Sequence, residues 1–255
     1  MKKAALLSIF ICTLSWQEVI AQKGKPEDTE IWKPVPKVVT TSAINAPPSD
    51  AIILFGGKDL NEWISVKDSA KQAGWTVGKG SFTVKKGTGD IRTKRIFTDY
   101  QLHLEWRTPA NITGAGQARG NSGLFLASPD NGHDGYELQI LDCYKNTTYV
   151  NGQTGSIYKQ IIPLANACKK PGEWQTYEIV WTAPRFSSEG ILKDSARITA
   201  FQNGVLIQNN AVLSGLSRYI GLPEYKAHGA SCIKLQDHGD PSEPISFRNI
   251  WIRKL

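Results

Sequence analysis

From Ala51 onward, apolar and polar residues alternate in short runs separated by glycine, proline and polar turns. Residues 100–107 (YQLHLEWR) set Leu102, Leu104 and Trp106 against His103, Glu105 and Arg107. That two-residue period marks a strand with one buried face. Residues 174–182 (WQTYEIVWT) repeat it with Tyr177, Ile179 and Trp181, and further runs fall at 51–55, 81–85, 122–127, 136–142 and 245–253. Residues 197–202 (RITAFQ) meet Asn203-Gly204 and continue as VLIQ, the strongest short-range hairpin signal. No stretch keeps a 3.6-residue apolar period over three turns. The pattern predicts an all-β chain of about twelve strands, folded as a two-sheet jelly-roll sandwich over residues 50–255.

The first 49 residues read differently. Lys2 and Lys3 precede an apolar run from Ala4 to Leu14, and Ala21 offers a small residue for cleavage. This is the layout of a signal peptide over 1–21, and the run is too short to span a bilayer. The expectation is an exported protein, periplasmic or secreted, with no membrane insertion. Residues 22–49 carry Pro26, Pro34, Pro36, Pro47 and Pro48. Proline denies them helix and central strand, so they form an extended arm.

Composition narrows the function classes. Hydrophobic residues are 40% and charged residues 21% of the 255, which excludes wholesale disorder. The net charge of +7 becomes +6 without residues 1–21, and no run of Lys or Arg exceeds two. Scattered basic residues on an exported chain argue against a nucleic-acid partner. Beyond the leader stand Cys143, Cys168 and Cys232. Export permits one bridge, and Cys143 and Cys168, flanking a loop-rich stretch, are the expected pair.

Candidate chemistry gathers on two strands. In 133–142 (HDGYELQILD), Tyr136, Leu138 and Ile140 face one way, and Glu137 and Gln139 the other. Asp142 needs a bulge to rejoin the face of Glu137. In 233–239 (IKLQDHG), Ile233 and Leu235 alternate against Lys234, Gln236 and His238. On a shared concave surface, an acid, a histidine and two amides converge. Glu137 and His238 are then candidates for general acid/base work or for holding a divalent cation. Two ligands alone do not specify a metal site, and no cofactor is otherwise implied. Arg119, Asn121 and Ser122 in the glycine-punctuated 119–126 (RGNSGLFL) supply hydrogen-bonding groups, as do Tyr158 and Lys159 at the end of 151–159 (NGQTGSIYK).

The strings LFGGKDLNEW (54–63), RGNSGLFL (119–126), YELQILD (136–142), GSIYKQ (155–160), PGEWQTYEI (171–179), FQNGVLIQN (201–209), LQDHG (235–239) and FRNIWIR (247–253) occur in the order seen in one bacterial family. The chain resembles the 3-keto-disaccharide hydrolases, a family once called a domain of unknown function. That resemblance implies a concanavalin A-like lectin/glucanase sandwich acting on glycosides whose sugar carries a ketone at C3. The 136–142 strand is also similar to the acidic strand of family-16 glycoside hydrolases. Here Gln139 replaces their central Asp, and Asp142 stands for their last acid. A two-carboxylate double displacement is therefore in doubt.

A C3 ketone acidifies the C2 proton, so one base suffices to start elimination of the C1 substituent. Glu137 or His238 fits the base and the other the proton donor. Lys159, Arg119 or a bound divalent cation would stabilise the enolate, or Lys234 if its face is the concave one. Arg119, Asn121, Gln139, Asp142, Tyr158, Lys159 and Gln236 complete the expected substrate-binding set. The competing reading is a non-catalytic, lectin-like carbohydrate-binding module. Trp63, Trp75, Trp106, Trp174, Trp181 and Trp251 would be its platforms, although Trp106 and Trp181 lie in the apolar phase of their strands. Oligomeric state is not legible.

Overall fold

The computed structural model describes residues 24–43 and 46–255. The signal-peptide reading of 1–21 lies outside them. The chain divides into two units after Val38. In the first, the described residues hold one 3-10 turn, Pro26–Thr29, and no strand, with Ile31, Trp32 and Val35 exposed. Among the described residues no helix is long and apolar enough to cross a membrane.

The second unit, Val39–Leu255, is built from strands. In chain order these begin with β1 (Ile52–Phe55), β2 (Trp63–Ser65), β3 (Thr76–Gly78), β4 (Ser81–Thr83) and β5 (Ile91–Thr93). Next come β6 (Tyr100–Arg107), β7 (Ser122–Ser128), β8 (Glu137–Ile140), β9 (Gln175–Thr182) and β10 (Arg185–Phe186). The last are β11 (Leu192–Asp194), β12 (Arg197–Gln202), β13 (Val205–Val212), β14 (Cys232–Leu235) and β15 (Ser246–Lys254). One antiparallel sheet runs β13-β12-β9-β6-β15-β4-β3, with β1 also on β15. The other runs β2-β5-β14-β7-β8. Together they form the two-sheet sandwich that the alternation predicts, of jelly-roll type.

The apolar phases meet between the sheets. Trp106, Tyr177, Trp181 and Leu104 come from the larger sheet, and Leu124, Leu126, Leu138, Ile140, Ile233 and Leu235 from the smaller one. Each such side chain, fully buried, contributes about 1.5–3 kcal/mol. Of the six tryptophans weighed as glycan platforms, five are buried. Trp174 lies between the guanidinium groups of Arg107 and Arg248, 4.5 and 4.2 Å from its ring. The hairpin at Asn203-Gly204 forms between β12 and β13, with Asn203 at φ +52°. Nothing in the sequence marks strands β2, β3, β5, β10 and β11, because two or three residues are too few to show a period.

The smaller sheet ends at β8, four residues long. Its outer edge is not open. Gln139 N–H donates to Ser156 O at 3.0 Å, and Gly155 N–H to Gln139 O at 3.0 Å. Tyr158 N–H donates to Glu137 O, also at 3.0 Å. The 155–158 loop thus occupies the place of a sixth strand and brings Tyr158 and Lys159 beside Glu137.

Candidate active site

On the outer face of the smaller sheet, register lines up one polar row. Arg92 pairs with Lys234, Lys234 with Phe125, and Phe125 with Glu137. Beside it, Gly123 pairs with Gln139. This face floors a cleft of about 780 Å³. Glu137, Gln139, Asn121, Tyr158, Lys159, Gln236 and His238 all line it. Two separate sequence segments therefore contribute their polar phases to one concavity.

Glu137 sits at its centre. Its side chain lies over Gly123, where an added Cβ would stand 2.6 Å from Oε1 and 2.9 Å from Phe125 Cε2. A side chain there would push the carboxylate aside, a constraint of space and not of backbone conformation. The residue is 7% exposed, and among the described residues no hydrogen bond or ion pair reaches its carboxylate. Burial pushes its pKa up to about 8; the Lys234 ammonium opposes the rise and the Asp90 charge adds to it. The other cleft carboxylates are neutralised. Asp134 is held by Arg218 at 3.0 Å and Lys226 at 3.3 Å, and Asp90 by Lys234 at 3.3 Å.

Around this carboxyl the groups are fixed by hydrogen bonds. Gln139 Nε2 donates to Asn121 Oδ1 at 2.8 Å, and Asn121 Nδ2 donates to Gln117 O at 2.9 Å. Tyr149 and Tyr158 share a hydroxyl hydrogen bond of 2.9 Å. Burial, that bond and the nearby Glu137 charge raise the Tyr158 pKa, so its phenol stays protonated. Lys159 donates to Tyr219 O at 2.6 Å, with its ammonium 4.3 Å from the Tyr219 ring. His238 follows β14 on the cleft wall, 38% exposed, with Nδ1 3.7 Å from Asp240 Oδ2.

Two expected ligand contacts lie elsewhere. Arg119 Nε pairs with Asp142 Oδ2 at 2.7 Å, and neither residue lines the cleft. Asp142 is fully buried and also accepts from Tyr144 N–H at 3.0 Å. No bulge returns it to the face of Glu137; it anchors the loop after β8. Cys143 and Cys168, expected to be bridged or close in space, lie close together without a bridge. Both are free thiols whose side chains hydrogen-bond to each other, and Cys143 Sγ accepts Thr154 N–H at 3.1 Å. Cys232 is free and buried. Among the described residues, no group of three or more His, Cys, Asp and Glu stands at metal-ligand spacing. Glu137 and His238 line one cleft, but among the described residues no third such side chain joins them at ligand spacing.

Sequence reasoning left Lys234 conditional and missed Asp90, Tyr149 and Tyr219, which also line the cleft. The parity of 233–239 places Lys234 with Gln236 and carries the signal for it. Asp90 precedes a three-residue strand and has none.

A comparison with curated proteins gives no match. Among solved structures, a Parabacteroides distasonis protein carrying a provisional glycosyl hydrolase name is 55% identical. It matches with a TM-score of 0.84 over 91% of this chain and 97% of its own. A second P. distasonis protein with the same provisional name shares 20% identity and a TM-score of 0.56, over 80% of this chain and 94% of its own. At that identity the likeness shows the fold alone. A third, also so named, shares 22% identity and a TM-score of 0.55, over 80% of this chain and 99% of its own. The profile of one family spans residues 50–253, the whole of the sandwich and every residue of the cleft floor. The chain belongs to the 3-keto-alpha-glucoside-1,2-lyase-like domain family, and its function is a carbohydrate-related one.

Proposed function

We propose that the cleft cleaves glycosides of 3-keto sugars by base-assisted elimination, with water able to complete a net hydrolysis. One observation carries the reading. Glu137 is a buried carboxyl without a hydrogen-bond or ion-pair partner among the described residues, in a cleft whose other carboxylates are neutralised. A two-acid glycosidase needs a second working carboxylate, and Asp142 is committed to Arg119 outside the cleft. A single base suits a substrate whose own ketone provides the activation.

Glu137 takes the C2 proton, and that electron pair forms the C1–C2 double bond through the enolate. The C1–O bond breaks, and the departing oxygen receives a proton from His238. The product is an unsaturated keto sugar and the free aglycone. Water adding to C1 returns the 3-keto sugar and makes the outcome hydrolytic. Gln139 and Asn121, locked to each other at 2.8 Å, present a fixed amide surface to the sugar hydroxyls. Preset positions of this kind lower the barrier by orienting the reactants before the proton moves.

The test is product analysis by NMR after incubation with 3-keto-glucosides of both anomers and with the parent glucosides. Release of aglycone from a 3-keto-glucoside, and none from its parent, is expected. Cleavage of the parent would overturn the keto-sugar reading, and tight binding without turnover would support the lectin-like one.

A further inference from the structure

Lys234 stands on β14 between Arg92 and Phe125, on the face that floors the cleft. Its side chain is 5% exposed, yet its ammonium meets one carboxylate, Asp90 Oδ2 at 3.3 Å, and the Phe125 ring at 3.7 Å. An ammonium carries three N–H donors. Among the described residues Nζ makes no other ion pair and no hydrogen bond, so donor capacity remains where the side chain borders the cleft. Desolvating a lysine costs several kcal/mol, and one carboxylate and one ring are a small return for it. Two residues along the same strand direction, Gln236 also lines the cleft, and its Oε1 is buried without a partner. The other cation lining the cleft, Lys159, is engaged on Tyr219 O, and Arg92, the cross-strand neighbour of Lys234, lies outside the lining. The cleft lining thus holds spare donor capacity on Lys234 and, two residues on, a buried acceptor without a partner on Gln236, and a ligand bearing a carbonyl oxygen next to a hydroxyl satisfies both.

We propose that Lys234 receives the carbonyl oxygen of the bound sugar, with Gln236 Oε1 accepting an adjacent hydroxyl and Asp90 positioning the ammonium. The assignment rests on the keto-sugar reading and gives the enolate oxygen a partner. When Glu137 removes the C2 proton, the C–H pair moves into the C2–C3 bond and the carbonyl pair moves onto oxygen. The new negative charge is met by an ammonium already fixed in a dry site, where such stabilisation is worth most. Lys234 gives up no proton. The enolate pair then returns and expels the C1 substituent.

A C3 ketone with no leaving group, 1,5-anhydro-3-keto-glucitol, separates enolisation from cleavage. Two readouts are taken on the full chain: exchange of its C2 proton in D2O, and the Lys234 Nζ signal in lysine-labelled protein. The wild type should exchange the proton, and the Lys234 signal should shift with the ketone but not with the parent 1,5-anhydroglucitol. Lys234→Met should slow exchange by about 10²–10³-fold. Asp90→Asn keeps the ammonium but loosens its position, so exchange should fall by less than with Lys234→Met, about tenfold, while its rise with pH moves to lower pH because a charge that raises Glu137 is gone. A folded Lys234→Met protein with wild-type exchange overturns the assignment. If that variant does not fold, the Nζ signal decides: equal shifts with ketone and alcohol, or none, overturn it. A ketone-specific shift without any exchange leaves the carbonyl receptor standing and removes the elimination chemistry.

Discussion

Glu137 and Glu105 are buried to nearly the same degree, 7% and 6% exposed, on the outer faces of opposite sheets. Their carboxyls nevertheless titrate far apart. At Glu105 burial pushes upward, but hydrogen bonds from His103, Asn249 and Arg248 outweigh it and the pKa falls to about 2. Arg248 Nε lies 2.6 Å from Oε2, and Asn249 Nδ2 donates to Oε1 at 2.9 Å. His103, stacked on Trp251, is held charged by Glu105 and Glu178 against its own burial, with a pKa near 9. Glu137 has burial without such partners, and its pKa goes to about 8. Donors aimed at an acid outweigh, at Glu105, the burial that drives Glu137 upward. The cluster around Glu105 spends its polar groups on one another. The cleft leaves the Glu137 carboxyl and Gln236 Oε1 open among the described residues, and open valences are what a substrate can fill.

The sharpest break in that contrast is Glu137→Gln. It keeps shape and removes the base, and turnover of a 3-keto-glucoside should fall by about 10²–10⁴-fold. Its thermal midpoint should hold or rise, since an uncompensated acid has been removed. Glu105→Leu should do the opposite. Leaving His103 and Arg248 without their carboxylate should cost about 3–5 kcal/mol in denaturant unfolding, with turnover per folded molecule unchanged. Equal effects of both substitutions on turnover would erase the distinction between the two sites.

Gly123→Ala tests the floor beneath Glu137. The added methyl displaces the carboxylate, and a shift of about 1 Å in a reacting group costs up to about 10²-fold in rate. A variant with wild-type turnover would show that the carboxyl need not lie over Gly123.

The smallest effect is a pair of slopes of stability against pH. Glu137 has a folded pKa above its ordinary 4.5, so its contribution is full below about pH 4.5 and is lost as pH rises through about 8. Glu105 has a folded pKa near 2, so its contribution is present above about 4.5 and is lost as pH falls through 2. Unfolding of the wild type and of Glu137→Gln across pH 4–9 should diverge steadily in favour of the variant. Parallel curves would place the Glu137 carboxyl in an ordinary, solvated setting.

Much of this was legible from alternation. Leu102, Leu104 and Trp106 announced β6, and the parity of Glu137 with Gln139 and of Gln236 with His238 sorted the cleft from the core. What alternation cannot convey is register across strands distant in sequence. Asp90 reaches Lys234, 144 positions along the chain, because β5 pairs with β14, and nothing local to either residue encodes that pairing. Arg119 and Asp142 failed as ligand contacts for the complementary reason. Each is polar and near the right strand, but they satisfy each other. Composition shows that a charged residue is present; only the fold shows whether it has already found its partner.

The 155–158 loop that completes the edge of β8 has a consequence for solution behaviour. A strand edge with free N–H and C=O groups invites pairing with another chain. Here that invitation is withdrawn by the same short segment that delivers Tyr158 and Lys159 to the cleft. Ligand contact and protection from edge-to-edge self-association are therefore inherited together. Engineering the loop for a new sugar would put both at stake, and variants that lose the 155–158 pairing should be recognised first by their association and only afterwards by their altered specificity.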